Sequence, residues 1–343
     1  MRPAATVLAL TLLLAGLPAE ARPFTDSADR TVEVPERIAH VLPAGPPAAI
    51  ILYMLAPDRL VGWTRAPSAA ERAFLPPRYG GLPEVGRLTG RGNTTSLEEV
   101  VRLAPDVVLD VGSTTATYVS LADRVQDQTH IPDVLIDGRL ENTAATFRKI
   151  GALLGAGEQA EALARYAEET LSEMRRRTAE IPPERRLKVY FARGPKGLET
   201  GARGSINTEA LDFVAVHDVA AENLGNGGIV TVSPEQVLAW QPDAIVTFNR
   251  EFYASVWKDP LWQDVKAVRD KRVYLAPDLP FGWIDSPPAA NRLIGIRWLA
   301  KVLYPALFPA DLRAETRRFY GLFYHQEPSD QQLDELLAGS TPR

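Results

Sequence analysis

The sequence predicts an α/β protein of two lobes with parallel central sheets, joined by one long rigid helix. Three observations predict it. The chain contains an internal duplication, its short apolar runs alternate with helical stretches, and its middle carries a long charged segment free of proline.

The duplication lies in Thr95 to Leu109 (TSLEEVVRLAPDVVL) and Val232 to Val246 (VSPEQVLAWQPDAIV). Glu98 matches Glu235, Pro105 matches Pro242 and Asp106 matches Asp243, each 137 residues apart. A period this long excludes a solenoid. In each copy Ser96 or Ser233 is a helix N-cap, with acidic residues in the first turn favouring the helix dipole. Val100, Val101 and Leu103 in one copy, and Val237 and Leu238 in the other, are expected to form the buried stripe. Proline then stops the helix, and Val107 to Leu109 or Ala244 to Val246 enters a buried strand. Helix followed by a short apolar strand is the unit of a parallel α/β sheet.

Further strands are expected at Ile38 to Leu42, Arg59 to Gly62 and Val134 to Ile136 in the first lobe. Leu187 to Ala192 and Arg272 to Leu275 serve the second. Glu158 to Glu180 reads as one helix, stopped by Pro182-Pro183, and its length suits a stiff connector. Helical regions are expected over Pro287 to Leu303 and Ala310 to Tyr324. The domain organisation is therefore a leader at 1–21, a first lobe at 22–156, a connector at 157–183, a second lobe at 184–338 and a disordered tail at 339–343.

The leader has the order of a secretory signal peptide: basic Arg2, an apolar run from Ala4 to Leu17, then Ala19-Glu20-Ala21 as a small-x-small cleavage site. That run is shorter than the roughly 20 residues a membrane-spanning helix needs. Cleavage after Ala21 and release to the periplasm are expected. The chain has no cysteine, which excludes disulfides and thiolate metal sites and removes the usual lipid attachment point. The remaining 320 or so residues suit two ordinary domains. A net charge of −5 with 24 % charged residues does not advertise a nucleic-acid surface. No P-loop, H-E-x-x-H or G-x-S-x-G elbow occurs, so no enzymatic activity and no cofactor are expected. His40, His130, His217 and His325 show no paired metal-ligand spacing.

The order of several segments carries a family resemblance. It runs from DSADRTVEVPERIAHVLP (Asp26 to Pro43), LVGWTR (Leu60 to Arg65) and LPEVGR (Leu82 to Arg87) through the paired S-x-E…P-D units and the mid-chain helix to PFGWIDSPPAANRLIGIRWLA (Pro280 to Ala300). In this the chain resembles the helical-backbone class of periplasmic binding proteins, which serve ABC importers of siderophores, haem, cobalamin and some oxyanions. The resemblance implies a ligand cleft between the lobes and a largely preformed, monomeric receptor. It also implies one exposed glutamate per lobe, Glu98 and Glu235, that meets arginines of a permease dimer. The expected solute is an iron(III)-siderophore or similar metal chelate, with molybdate or tungstate as the alternative. A solute sensor for a membrane receptor is a second alternative.

In open α/β sheets, ligands bind beyond the carboxyl ends of the strands. Loops there supply the candidate contacts. They are Arg65; Arg87 and Arg91 in RLTGRGN; and Ser113, Thr114, Thr115 and Tyr118 in GSTTATY. The second lobe offers Arg203, Asn249, Tyr253, Phe281, Trp283, Asp285 and Arg292. Arginine suits oxyanions and carboxylate chelates because its fork donates two parallel bonds. Trp283 is read either as a stacking surface for a chelate or as packing against Pro287 and Pro288. Arg292 is read either as a cleft cation or as an interdomain residue. Tyr118 or Tyr253 would be the candidate ligands to haem iron.

Overall fold

Runs such as Val107–Gly112 and Ala244–Thr247 are buried almost throughout, and strands covered on both faces pair in parallel. The computed structural model describes residues 21–90 and 92–339. Residues 1–20, where all but the last residue of the expected leader falls, Arg91 and the last four residues lie outside the described residues.

An antiparallel hairpin of β1 (Ala21–Thr25) and β2 (Thr31–Pro35) opens the chain. The first-lobe sheet then runs β3 (Val41–Pro43), β4 (Val107–Gly112), β5 (Asp133–Asp137), all parallel. The second lobe contains β6 (Lys188–Ala192), β7 (Glu199–Gly201), β8 (His217–Asp218), β9 (Ile229–Thr231), β10 (Ala244–Thr247) and β11 (Val273–Leu275). Its parallel sheet has the order β11-β10-β6-β8, and β7 pairs with β9 in a small antiparallel ribbon. The expected strand at Arg59 to Gly62 is reduced to a single parallel bridge between Val41 and Leu60. A 3₁₀ turn at Pro57–Arg59 precedes it, and Trp63 N–H turns away to the Pro83 carbonyl.

With that bridge counted, both lobes share one strand order. Leu60 flanks β3 as β8 flanks β6, and β4 and β5 follow as β10 and β11 do. The duplicated segments explain the match. Ser96 caps the helix Leu97–Leu103 by accepting from Glu99 N–H, and Ser233 caps Pro234–Trp240 by accepting from Gln236 N–H. Both helices end on a left-handed residue, Ala104 or Gln241. The Pro-Asp pair then fastens the unit to the neighbouring strand. Asp106 Oδ2 accepts from Ala39 and His40 N–H at 2.7 and 2.8 Å, and Asp243 Oδ2 accepts from Lys188 N–H at 2.8 Å.

Val100 and Val237 are fully buried, as the helical stripe requires. Val101 and Leu238, expected beside them, are instead 51 % and 37 % exposed. Each helix has only seven residues, and its core face is filled by Val100 with the partly buried Leu97 and Leu103, or by Val237 with the partly buried Trp240.

The connector helix spans Gly157–Thr178, about 33 Å at 1.5 Å per residue. It lies against the helices Thr143–Leu154 and Arg292–Leu303. One apolar core runs through both lobes and the connector, taking in Val41, Phe147, Leu163, Val189, Trp298 and Phe319. The helix Leu312–Tyr324 begins at the cap Asp311 and crosses back to the first lobe. Its Phe323 meets Phe147 and its Tyr324 stacks on Tyr53. A final helix, Asp330–Leu337, also reaches the first lobe, where Gln332 Nε2 donates to Ala73 O. Gly339, placed in a disordered tail by the sequence, accepts a hydrogen bond from Leu275 N–H. No helix among the described residues is long and apolar enough to cross a membrane.

Candidate functional site: the cleft between the lobes

Loops at the carboxyl ends of the strands meet around a cleft of about 310 Å³. The first lobe contributes Pro46 and Ile50 from the helix Pro46–Leu55, with Trp63, Arg65, Glu71 and Arg87. The second contributes Arg193, Asn207, Phe281, Asp285 and the run Ser286 to Pro288. Of the residues expected from sequence, Arg65, Arg87, Phe281 and Asp285 therefore line the cleft.

Arg65 holds Glu71 through two bonds of 2.6 and 3.1 Å. Glu71 also accepts from Ser68 N–H at 2.6 Å as part of a capping box. Burial opposes ionisation of Glu71, but the Arg65 guanidinium and the Ser68 amide together hold its carboxyl below the usual range. Arg87 Nε donates to Gly92 O at 2.7 Å, which braces the glycine-rich loop.

The opposite wall is a network. Arg193 forms an ion pair with the fully buried Asp285, whose Oδ1 accepts from Asn207 Nδ2 at 2.8 Å. The Arg193 guanidinium lies 5.2 Å from the Phe248 ring centre, within cation–π range. The lining thus holds three arginines and two carboxylates, an excess of one positive charge at neutral pH. Sequence reading did not single out Arg193, although it directly follows the predicted strand ending at Ala192, where switch-point logic places ligand contacts.

Two expected contacts are corrected by burial. Trp283 is fully buried, and its Nε1–H donates to Tyr320 Oη at 3.1 Å. It therefore has no face free to stack on a solute. Gly295 lets the Trp283 backbone come this close to the helix Arg292–Leu303, since a Cβ at that position would overlap the Trp283 carbonyl. Arg292 is 1 % exposed and occupied on every side. It donates to Ala289 O and Ile206 O, pairs with Glu209 at 2.7 Å and reaches Gly138 O of the first lobe at 2.7 Å. The interdomain reading of Arg292 holds, and the cleft reading does not.

The other candidates have local structural partners. Arg203 donates to Ala221 O and Glu222 O near the end of a short helix. Asn249 caps Arg250–Ser255 by accepting from Phe252 N–H at 2.8 Å. Tyr253 packs edge-on to Trp257. Ser113 and Thr115 hydroxyls bond each other at 3.2 Å, and Thr114 lies between them, half-buried. Tyr118 lines a different hollow with Thr89, Asn93 and Arg124. Arg91 lies outside the described residues.

Glu98 and Glu235 stand exposed on their duplicated helices. Hydrogen bonds lower both carboxyls: from the Ser96 hydroxyl and the residue's own amide for Glu98, and from its own amide and the Ser233 hydroxyl for Glu235.

The family model for periplasmic binding proteins matches residues 51–279. The chain is 26 % identical over 332 residues to the molybdate-binding protein MolA of Haemophilus influenzae, covering 88 % of this chain and 91 % of that one. The structure of an ABC transporter solute binding protein from Sulfurospirillum deleyianum superposes with a TM-score of 0.84 at 29 % identity, covering 92 % of this chain and 99 % of that one. The structure of MolA bound to molybdate shares the fold, with a TM-score of 0.75 at 22 % identity over 90 % of this chain and 99 % of that one. Two lobes of one strand order, a cleft at their strand ends and a family match over two-thirds of the chain lead to one conclusion: the chain belongs to the periplasmic binding proteins, the solute-capturing components of ABC importers.

Proposed function

We propose that this protein captures a compact anion in the interlobe cleft, with a tetrahedral oxyanion of the molybdate or tungstate class as the leading candidate. The observation that carries this reading is the presence of Arg65, Arg87 and Arg193 on both walls of one small cavity. Guanidinium groups donate paired, charge-assisted bonds to oxyanions. The full-length relative named for molybdate binding supports the same reading. Size also bears on it. At about 310 Å³ the cleft is at the lower end of the roughly 300–1,000 Å³ range of organic-ligand pockets. That ranks a bulky ferric siderophore, haem or cobalamin, the first of which led the sequence reading, behind a small anion. The apolar part of the wall, Ile50, Trp63 and Phe281, favours a small metal chelate as the second reading.

Capture involves no covalent chemistry. The loaded protein docks on a permease dimer through Glu98 and Glu235, whose ionised carboxylates on separate lobes accept bonds from arginines and fix orientation at two points. In this reading the protein works in the periplasm after removal of its leader.

Calorimetric titration with molybdate, tungstate, sulfate and a ferric hydroxamate tests the ligand class. Saturable binding of molybdate or tungstate that is weakened about 10-fold or more in R193A supports the oxyanion. Binding of the ferric chelate with no response to either oxyanion overturns it. Transport unchanged in E98K/E235K would overturn the docking role.

A further inference from the structure

The duplicated helices retain more than their glutamates. Among the described residues, three large hydrophobic side chains are exposed: Val101, Leu238 and Leu261. Val101 and Leu238 occupy the same place in the two copies, 137 residues apart, as Glu98 and Glu235 do. In each helix the aliphatic side chain follows the glutamate by three residues, so the two are neighbours on one helix surface.

Packing explains neither, and helix propensity does not explain Val101. The core face of each copy is already filled, by Val100 with Leu97 and Leu103 or by Val237 with Trp240. A β-branched valine at a solvent-facing helix position loses side-chain freedom and gains no burial. The surrounding positions have diverged between the copies. Glu99 and Arg102 form an ion pair in the first helix, and Gln236 and Ala239 replace them in the second. Both arrangements are neutral. What the two helices share on their outer surface is one carboxylate and one aliphatic group. No ion pair engages Glu98 or Glu235 among the described residues.

We infer that Val101 and Leu238 are apolar anchors of the permease contact, each seating in an aliphatic hollow beside the arginine that meets the neighbouring glutamate. The inference rests on the docking reading of Glu98 and Glu235. Its partner is a membrane protein with two equivalent faces, because two equivalent patches on related lobes match a partner present in two copies. Each face pairs a guanidinium with an apolar recess. The carboxylates give orientation and a salt-dependent encounter rate, and the aliphatic groups give contact that salt does not screen.

The test uses the full-length mature protein and its cognate permease–ATPase complex in lipid nanodiscs, with affinity measured at low and high salt. V101S/L238S is expected to weaken binding about 10-fold or more at both salt concentrations, with solute binding and melting temperature unchanged. The single variants V101S and L238S should each give part of that loss. If V101S/L238S binds within about twofold of wild type while E98K/E235K fails to bind, the apolar anchors are refuted and the docking role of the glutamates survives. If E98K/E235K binds like wild type, the docking reading falls and this inference falls with it.

Discussion

Arg292 Nη1 lies 2.7 Å from Glu209 Oε2, and this buried ion pair fastens the two lobes beneath the cleft. Glu209 Oε2 also accepts from Leu140 N–H at 2.9 Å, and Arg292 Nη2 donates to Gly138 O at 2.7 Å. Both of those backbone groups follow β5 in the first lobe, whereas Glu209 and Arg292 belong to the second. Removing one partner of such a pair leaves the other charge and several carbonyls buried without compensation, a loss of about 3–5 kcal/mol. R292M should therefore lower the unfolding free energy by that margin, seen as a lower denaturant midpoint with little change in slope. A midpoint within error of wild type would show that the clasp carries no stability.

The cleft arginines should not contribute equally. Arg193 is largely shielded from solvent, whereas the Arg65 side chain is 67 % exposed. Charge-assisted hydrogen bonds strengthen as water is excluded. R193A is therefore expected to weaken oxyanion binding by about 10- to 100-fold, and R65A by less, since one bond to a charged group contributes about 1.5–3 kcal/mol. Titration calorimetry of the two variants checks the order. Equal losses, or a larger loss in R65A, would place the anion nearer the first lobe.

Much of this fold was legible because it rests on periodicity and on repeats. The buried runs at Val107 and Ala244, the connector and the paired S-x-E…P-D units each announce themselves in a few residues. The cleft was harder to read. Whether an arginine after a strand, such as Arg193, or at a helix start, such as Arg292, faces a ligand or a neighbouring lobe depends on long-range partners that the local sequence does not show. Apart from Ala289, the partners that bury Arg292 are 83 to 154 residues away. Trp283 stayed open between two readings for the same reason, because its partner Tyr320 sits 37 residues further on, on the helix Leu312–Tyr324. Exposure of Val101 and Leu238 was hidden by the assumption that every valine and leucine of a short helix faces the core.

Acid in the first-lobe core predicts a distinctive pH response. Among the described residues, the side-chain hydrogen bond of Asp110 on β4 is to the Thr89 hydroxyl at 3.3 Å, and burial pushes its carboxyl up to about 6. Asp133 lies on the same face of the neighbouring β5. Burial first, and the charge of Asp110 second, raise it well above the carboxylate range, while Arg30 pulls it down. A group whose folded pKa is raised keeps its proton where the unfolded chain has lost it. The stability it contributes is present below about pH 4 and is lost as pH rises toward 6. Glu71, held low, acts in the opposite sense and only below its ordinary range. The difference between wild type and D110N reports the Asp110 titration together with its coupling to Asp133. Between pH 4.5 and 6.5 wild type should lose about 1–2 kcal/mol relative to D110N, so that D110N melts higher at pH 7. Parallel melting curves across this window would refute the assignment.

The shared core limits how far the cleft can close. Hinged receptors move freely when few contacts cross between their lobes. Here the core passes without a break from Val41 through Leu163 to Val189, and the helix Leu312–Tyr324 buries Phe319 and Phe323 against Tyr166 of the connector. Arg297 adds an ion pair to connector Glu173 at 2.8 Å, and the Arg292 clasp closes the cleft floor. A large rotation would have to break these contacts together, because a close-packed core does not deform gradually. Ligand binding should therefore change the radius of gyration by less than about 1 Å, the scale of backbone movement in preorganised complexes. Small-angle scattering of apo and loaded protein reads this directly. R292M should widen the difference by releasing the floor while leaving the connector in place; a compaction of several ångströms already present in wild type would mean that the lobes pivot despite the common core.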